Sequence, residues 1–131
     1  MMWIAALAVA GGGALGALAR FGTVFISQLI FGSRFPAGTL LVNCFGSFLI
    51  GFIMNLLMQR MAGGADIWRL FLVVGFLGAF TTFSSFAWET LSLYANGQWA
   101  YAVLNILLNN IGTLLMVLLG VQSARMIGGY A

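Results

Sequence analysis

Residues 75–86 read Gly75-Phe76-Leu77-Gly78-Ala79-Phe80-Thr81-Thr82-Phe83-Ser84-Ser85-Phe86, and they lie within a long apolar run. Glycine and β-branched threonine weaken a helix, and serine and threonine hydroxyls can satisfy backbone groups that an interruption frees. The stretch therefore predicts a break in a membrane helix, where freed carbonyls can coordinate a cation. The alternative is an intact helix whose small residues pack against a neighbour, and the residues alone do not decide between the two.

The composition on both sides of this stretch indicates an integral membrane protein. Of 131 residues, 63% are apolar and 5% are charged, whereas soluble domains carry about 25% charged residues. A helix needs about 20 residues to cross a hydrocarbon core about 30 Å thick. We predict an all-α membrane protein with a single transmembrane domain over residues 1–131, with spans at about residues 3–30, 37–58, 67–94 and 99–125.

Short turn-forming segments separate the four predicted spans. Pro36 suits the first turn of the second helix, and Asn96-Gly97-Gln98 is expected to be the turn before the fourth. Residues 61–66, which include Gly63-Gly64, form the most polar connection. The stretch ahead of Ala8-Val9-Ala10 is too short and lacks the basic residues of a secretory signal, so we expect it to begin the first span.

The few charged residues exclude some partners. The net charge is only +3 and no run of Lys or Arg exists, so nucleic acid is not an expected partner. One cysteine excludes an intrachain disulfide. Arg60, Arg69 and Arg125 lie on one predicted membrane face and Arg34 on the other, which gives a weak positive-inside bias. Such a bias is typical of insertion in both orientations, and a single orientation with few charges is the alternative.

A polar stripe runs along the fourth span. Its members recur at every fourth position, which places them along one helix face, and they are Tyr101, Asn105, Asn109 and Thr113. Asn43 adds a buried amide from the second span. Amides are costly in hydrocarbon, so they need hydrogen-bond partners or a solvated path. Their N–H groups, like hydroxyls, can replace the hydration shell of an anion.

Phe83 and Phe86 lie three residues apart and therefore share a helix face. The edge of a benzene ring is positive, so two ring edges can stabilise a poorly hydrated anion. A contact with lipid or core is the alternative for any membrane phenylalanine. Among the ionisable groups, Arg20 and Glu89 lie deepest in the predicted spans; we expect a structural or electrostatic role for Arg20, and the sequence does not decide for Glu89.

Glycines near the amino terminus satisfy the pattern G-x-G-x-x-G, from Gly11 to Gly16. A dinucleotide site also needs an acidic residue about 20 positions later, and this chain has none there. Gly12 and Gly16 instead have the spacing with which membrane helices approach closely, so we favour packing.

Three blocks of residues, together with the stripe, cover nearly the whole chain. They are Gly12-Gly13-x-x-Gly16-x-x-x-Arg20, Phe35-Pro36-x-Gly38-Thr39-x-x-x-Asn43-x-x-Gly46-Ser47-x-x-x-Gly51 and Gly75-Phe76-x-Gly78-x-x-Thr81-Thr82-Phe83-Ser84-x-Phe86. Together they closely resemble the fluoride channel family called Fluc or CrcB.

The resemblance implies a passive, fluoride-selective channel that lets fluoride leave the microbial cytoplasm through the inner (plasma) membrane, and so confers fluoride resistance. It further implies a homodimer of four-span subunits inserted in opposite orientations, with two separate pores and a structural sodium ion at the dimer centre. Two departures are mild: Cys44 follows the key asparagine, and the stripe carries Asn where other members carry Ser.

The same resemblance implies a role for each site residue. Phe83 and Phe86 are the expected ring-edge ligands of fluoride, with Asn43 and Ser84 as nearby donors. The expected polar track that faces them consists of Tyr101, Asn105, Asn109 and Thr113. The backbone carbonyls of Gly78 and Thr81 are the expected sodium ligands.

Three other functions agree less well with the sequence. A small proton-coupled multidrug exporter also has four spans, but it needs a membrane-embedded acid in its first helix, and only Glu89 is available as a substitute. A structural membrane subunit explains the glycines and aromatics but not the asparagine stripe. An enzyme is least favoured because no set of nucleophile, base and metal ligands is apparent.

Overall fold

The computed structural model describes residues 1–60 and 65–128 of the chain. Within these residues, four helical runs are long and apolar enough to cross a membrane, and we call them the first to fourth spans: Met2–Phe31, Ala37–Leu57, Asp66–Ala95 and Trp99–Gly128. The predicted all-α chain with four candidate spans is confirmed. Gly63-Gly64 of the predicted polar connection lie outside the described residues.

The first two spans are single helices, and the last two are each built from several segments. The single helices are α1 (Met2–Phe31) and α2 (Ala37–Arg60). The third span comprises α3 (Ala65–Arg69), a π-helical segment (Leu70–Leu77), α4 (Gly78–Phe80) and α5 (Phe83–Ala95). The fourth comprises α6 (Trp99–Leu107), a second π-helical segment (Leu108–Gly112) and α7 (Thr113–Gly128).

Glycines with positive φ lie in two of the turns between spans. Gly32, with φ 76°, follows α1, and Gly97, with φ 74°, lies between α5 and α6. Side chains disfavour this left-handed region, so glycine suits both positions. The Leu40 N–H donates to the Pro36 carbonyl at 3.2 Å, which places Pro36 directly before the first turn of α2, as its fixed φ favours.

Glycines bring the first and third spans into backbone contact. A Cβ atom at Gly12 would collide with the carbonyl oxygen of Phe71, and one at Gly16 would collide with that of Phe76. Gly120 of α7 makes the same kind of contact with the Phe48 carbonyl of α2. Small residues let membrane helices pack this closely. The packing interpretation of Gly12 and Gly16 therefore agrees with the structure.

The two π-helical segments are a feature that the sequence interpretation lacked, since it assumed regular helices there. Gly12 and Gly16 lie four residues apart, but the carbonyls they meet, at Phe71 and Phe76, lie five apart. Five residues is the hydrogen-bond spacing of a π-helix, so the wider turn keeps the two spans in register. In the fourth span, the Asn110 side chain donates to the Ile106 carbonyl at 2.7 Å and competes with the regular helical bonds.

Two extended residues lie within the third span. Thr81 (φ −81°, ψ 159°) and Thr82 (φ −154°, ψ 116°) separate α4 from α5. We call them the extended pair. Thr82 is also the N-cap of α5, because its hydroxyl accepts a hydrogen bond from the Ser85 N–H at 3.2 Å. A buried apolar cluster of Val42, Leu77 and Phe80 packs the second span against α4 and the segment before it.

Candidate functional site

A cavity of about 320 Å³ lies beside the extended pair. Seven residues that the sequence predicted as ion ligands line it, and they are Asn43, Gly78, Thr81, Phe83, Phe86, Asn109 and Thr113. Ser47 and Asn110, which the sequence interpretation gave no role, line it as well. The second, third and fourth spans thus meet at one cavity, which is lined by five of the eight predicted fluoride-pathway residues and by both predicted sodium ligands.

Asn43 holds the backbone of the extended pair. Its side-chain N–H donates to the Thr82 carbonyl at 3.1 Å, and its Oδ1 accepts from the Thr82 N–H at 2.8 Å. Both polar backbone groups of Thr82 are therefore satisfied from another helix. This matters because an unpaired peptide group in the membrane interior costs several kcal/mol.

The extended pair deprives two carbonyls of their regular helical donors. In an uninterrupted helix, the Gly78 carbonyl accepts from the Thr82 N–H, which here goes to Asn43. The Thr81 carbonyl would accept from the Ser85 N–H, which here goes to the Thr82 hydroxyl. Both residues line the cavity. Gly78 and Thr81 are thus the residues whose carbonyl oxygens lose their regular helical donors at the extended pair.

Three asparagines from two spans form a continuous row of hydrogen bonds. Asn43 Nδ2 donates to Asn109 Oδ1 at 2.9 Å, and Asn109 Nδ2 donates to Asn105 Oδ1 at 2.9 Å. Asn105, with 0% of its surface exposed, then donates to the Thr90 hydroxyl at 2.9 Å. Two members of the predicted polar track, Asn105 and Asn109, are therefore buried and engaged with each other.

Phe83 and Phe86, which we call the aromatic pair, differ in burial. The centroids of Phe83 and Phe86 are 5.2 Å apart, and the rings are inclined at 63°. Phe86 is 7% exposed, whereas Phe83 is 75% exposed in the single subunit. The two rings meet edge to face, and both residues line the cavity.

The remaining members of the predicted pathway lie outside this cavity. Ser84 is exposed, and its hydroxyl lies 3.4 Å from that of Thr82. Tyr101 packs against Phe35 with ring centroids 6.1 Å apart. Arg20, half-buried on α1, forms no ion pair with any residue that the structure describes.

A second cavity of about 460 Å³ lies at the end of the bundle that carries Arg34. Glu89 lines it, and its Oε1 accepts a hydrogen bond from the buried Thr39 hydroxyl at 2.6 Å. The other carboxylate oxygen, Oε2, is buried and has no hydrogen-bond partner among the described residues. Glu89 therefore joins α5 to α2 and leaves one acceptor free.

Sequence reasoning gave no site role to Thr39, Ser47 or Thr90. Thr39 and Ser47 lie four residues on either side of Asn43, and Thr90 lies four residues after Phe86. Four-residue spacing places them on the same helix faces as those predicted ligands. That spacing was the available signal for all three.

A cluster of three or more Cys, Asp or Glu side chains that would hold a metal ion is absent from the part of the chain that the structure describes. A cation at the cavity would therefore depend on backbone carbonyl and hydroxyl oxygens. These are ligands suited to hard ions, not to transition metals.

Known proteins are similar to this chain over most of its length. The family model described as "CrcB-like protein, Camphor Resistance (CrcB)" matches residues 7–121. A Legionella pneumophila (strain Paris) protein named fluoride-specific ion channel FluC is 50% identical over 119 residues, which is 91% of this chain and 88% of the relative. A protein of the same name from Dehalococcoides mccartyi (strain CBDB1) is 45% identical over 87% of both chains. Another, from Sulfurihydrogenibium sp. (strain YO3AOP1), is 42% identical over 92% of this chain and 97% of the relative.

Proposed function

Because the chain belongs to the CrcB-like protein family, we propose that it is a passive, fluoride-selective ion channel and not an enzyme. Relatives that match about nine-tenths of its length are named fluoride-specific ion channels. The observation that carries the proposal is the first cavity, which Phe83 and Phe86 line together with the buried amides of Asn43 and Asn109. As a multi-pass protein of the inner (plasma) membrane, the channel would let fluoride leave the cytoplasm and would confer fluoride resistance.

The chemistry of the first cavity suits a small, strongly hydrated anion. Such an ion needs several donors at once to replace its water, yet it must bind loosely enough to leave. Positive ring edges and neutral hydroxyl groups meet both needs, whereas a fixed cation would hold the ion. Among the described residues, none that lines the first cavity is Lys or Arg.

The functional unit in this proposal is an antiparallel homodimer with two pores. Phe83 borders the cavity and is 75% exposed in the single subunit, so one wall of the path is left to a second copy. The scarcity of charged residues, with Arg34 at one end and Arg69 and Arg125 at the other, is compatible with insertion in both orientations.

A structural sodium ion at the dimer centre is the further part of the proposal. Gly78 and Thr81 would hold it through the two carbonyls whose helical donors are diverted to Asn43 and to the Thr82 hydroxyl. Backbone carbonyls are suitable ligands for a hard monovalent cation.

The second candidate is a small four-span exporter that exchanges protons for organic cations. Glu89 favours it, because a buried carboxylate oxygen without a partner is what a proton-binding site requires. Against it, α1 contains no Asp or Glu, and Glu89 lies outside the cavity that contains the aromatic pair.

Fluoride efflux from sealed vesicles tests the proposal. Purified protein is reconstituted in liposomes loaded with equal fluoride and chloride, and a fluoride electrode records release after a potassium ionophore is added. We expect fluoride to leave at a rate far above that of protein-free vesicles while chloride is retained. Asn43→Leu should remove most of this throughput, because it leaves both polar groups of the Thr82 backbone unpaired.

Two outcomes would contradict the channel. One is fluoride release no faster than from protein-free vesicles, with correctly folded protein present. The other is uptake of an organic cation that depends on a proton gradient and is abolished by Glu89→Gln, which would support the exporter.

A further inference from the structure

The three asparagines of the candidate site belong to a hydrogen-bonded chain that runs in one direction. Each donor points to the next acceptor, from the Thr82 N–H to the Phe86 carbonyl. We call the side chains that carry it the amide chain, and they are Asn43, Asn109, Asn105 and Thr90. An amide has a donor end and an acceptor end, so the direction of the chain decides which oxygens face which neighbours.

At one end, Asn43 fixes this direction. The Thr82 peptide presents one donor and one acceptor, and Asn43 meets both, at 2.8 and 3.1 Å. A turned amide would set donor against donor and acceptor against acceptor. The second N–H of Asn43 must therefore point to Asn109, which must accept with its oxygen.

At the other end, Thr90 fixes it again. The Thr90 hydroxyl donates to the Phe86 carbonyl at 2.8 Å, so only its lone pairs are available to Asn105. Asn105 Nδ2 donates to them at 2.9 Å. Since Asn105 is 0% exposed, water is not at hand to replace this acceptor.

We propose that Thr90 is a positioning residue for fluoride conduction, because it accepts from Asn105 and so holds the Asn105 amide in the direction that pairs its oxygen with Asn109, which lines the first cavity. When the amide chain is intact, the side-chain oxygens of Asn43, Asn109 and Asn105 all accept hydrogen bonds within it. Oxygens that are engaged in this way do not confront an anion in the cavity. The inference rests on the proposed function and assigns Thr90 a role in its selectivity.

Removal of the Thr90 hydroxyl leaves the amide chain without an arrangement in which every side-chain N–H has an acceptor. Asn105 would lose its acceptor, and turning its amide would set its N–H against the N–H of Asn109. Asn109 cannot turn in response, because Asn43 is held by the Thr82 backbone. Asn105 must then keep an N–H without an acceptor, or turn and leave an N–H of Asn109 without its acceptor, and buried groups of this kind are costly to leave unpaired.

The test compares Thr90→Val with Thr23→Val in the full chain, reconstituted in liposomes. Thr23 is the matched control: it is also half-buried in a helix, and its hydroxyl donates to the Ala19 carbonyl at 2.9 Å, four residues back. Rates are normalised to the amount of folded protein. We expect Thr90→Val to lower fluoride throughput about tenfold or more and to lower the fluoride-to-chloride ratio, the scale of one unpaired buried amide. Thr90→Ser, which keeps the hydroxyl, should restore both values.

Several results would overturn the inference. If the normalised throughput and the ion ratio of Thr90→Val equal those of Thr23→Val, Thr90 has only the role of a helix hydroxyl. If Thr90→Val fails to fold, Thr90→Ala takes its place with the same expectation, since it removes the hydroxyl without adding a methyl group against the amide. If the wild-type protein itself passes no fluoride, the proposed function fails and this inference fails with it. Conduction by wild type and all variants alike overturns the inference alone.

Discussion

The role that the sequence predicts for Asn43 can be compared with the contacts of Asn43 in the structure. The sequence indicated a costly buried amide that needs partners, and the resemblance gave it the role of a fluoride donor. In the structure both of its N–H groups are engaged, one with the Thr82 carbonyl and one with Asn109. The partners were beyond sequence reasoning because Thr82 lies 39 residues away, and only the packing of the second span on the third brings them together. A direct contact between Asn43 and fluoride stays a prediction.

The two phenylalanines of the site should respond differently to truncation. Phe86 is buried, and its removal should lower both the free energy of unfolding, by about 3–5 kcal/mol, and fluoride throughput. Phe83 is 75% exposed in the subunit, so Phe83→Ala should lower throughput while unfolding changes by less than about 1 kcal/mol. Unfolding in detergent and efflux from vesicles measure the two quantities.

Phe31→Ala is the control for this comparison, since Phe31 is 64% exposed and lies at the end of α1. It should change neither quantity appreciably. Equal losses of stability for Phe83→Ala and Phe86→Ala would contradict the assignment of Phe83 to the wall of an ion path.

The positions of the π-helical segments could not be predicted from the sequence. Apolar periodicity and turn residues indicate where helices begin and end, and the four spans were predictable from them. The π-helical register depends instead on which carbonyls of the third span meet Gly12 and Gly16, and it becomes visible only when two helices are packed. Thr81 and Thr82 differ from this case, because the residue types of their stretch raised an interruption as one of two alternatives, and both residues are extended in the structure.

The glycine contact between the first and third spans makes a matched pair of variants available within α1. A Cβ at Gly12 would collide with the Phe71 carbonyl, whereas one at Gly22 has no neighbour within 4 Å. We expect Gly12→Ala to lower the free energy of unfolding by about 1–3 kcal/mol, the usual cost of overpacking. Gly22→Ala should leave it unchanged or raise it by up to about 1 kcal/mol, since alanine is the better helix former. Denaturant titration of the purified protein measures both, and equal effects would contradict the contact.

The subunit as a whole has only a small buried apolar core. Among the described residues few apolar side chains are buried, whereas many large aliphatic and aromatic side chains are exposed. In lipid these residues need no protein cover, so the hydrophobic effect does not drive subunits together. In the proposed dimer, association would come from close packing and from polar groups, and a second copy would cover the exposed ring of Phe83.

The proposed opposite insertion of two copies can be tested by fixing each orientation. Lysines added with Ala95→Lys and Ala100→Lys lie at the end that carries Arg34, and Met126→Lys with Ile127→Lys lie at the other. Lysine-rich ends stay in the cytoplasm, so each double variant alone should populate one orientation and lose nearly all fluoride efflux. Production of both variants in the same cells should restore efflux.

Protease access to a terminal tag from each side of the membrane establishes the orientation of each variant. Undiminished efflux from a variant with a single orientation would contradict the antiparallel dimer.

The hydrogen bonds between Asn43 and Thr82 imply an order in which the inserted spans reach their final structure. The third span contains no partner of its own for both polar groups of Thr82, and hydrocarbon offers none, so a span entering the bilayer alone would keep these groups paired within a continuous helix. Thr81 and Thr82 would then become extended only after the second span presents Asn43. We therefore expect the extended pair to form during assembly of the inserted helices, and a peptide of residues 66–95 by itself in lipid should lack it.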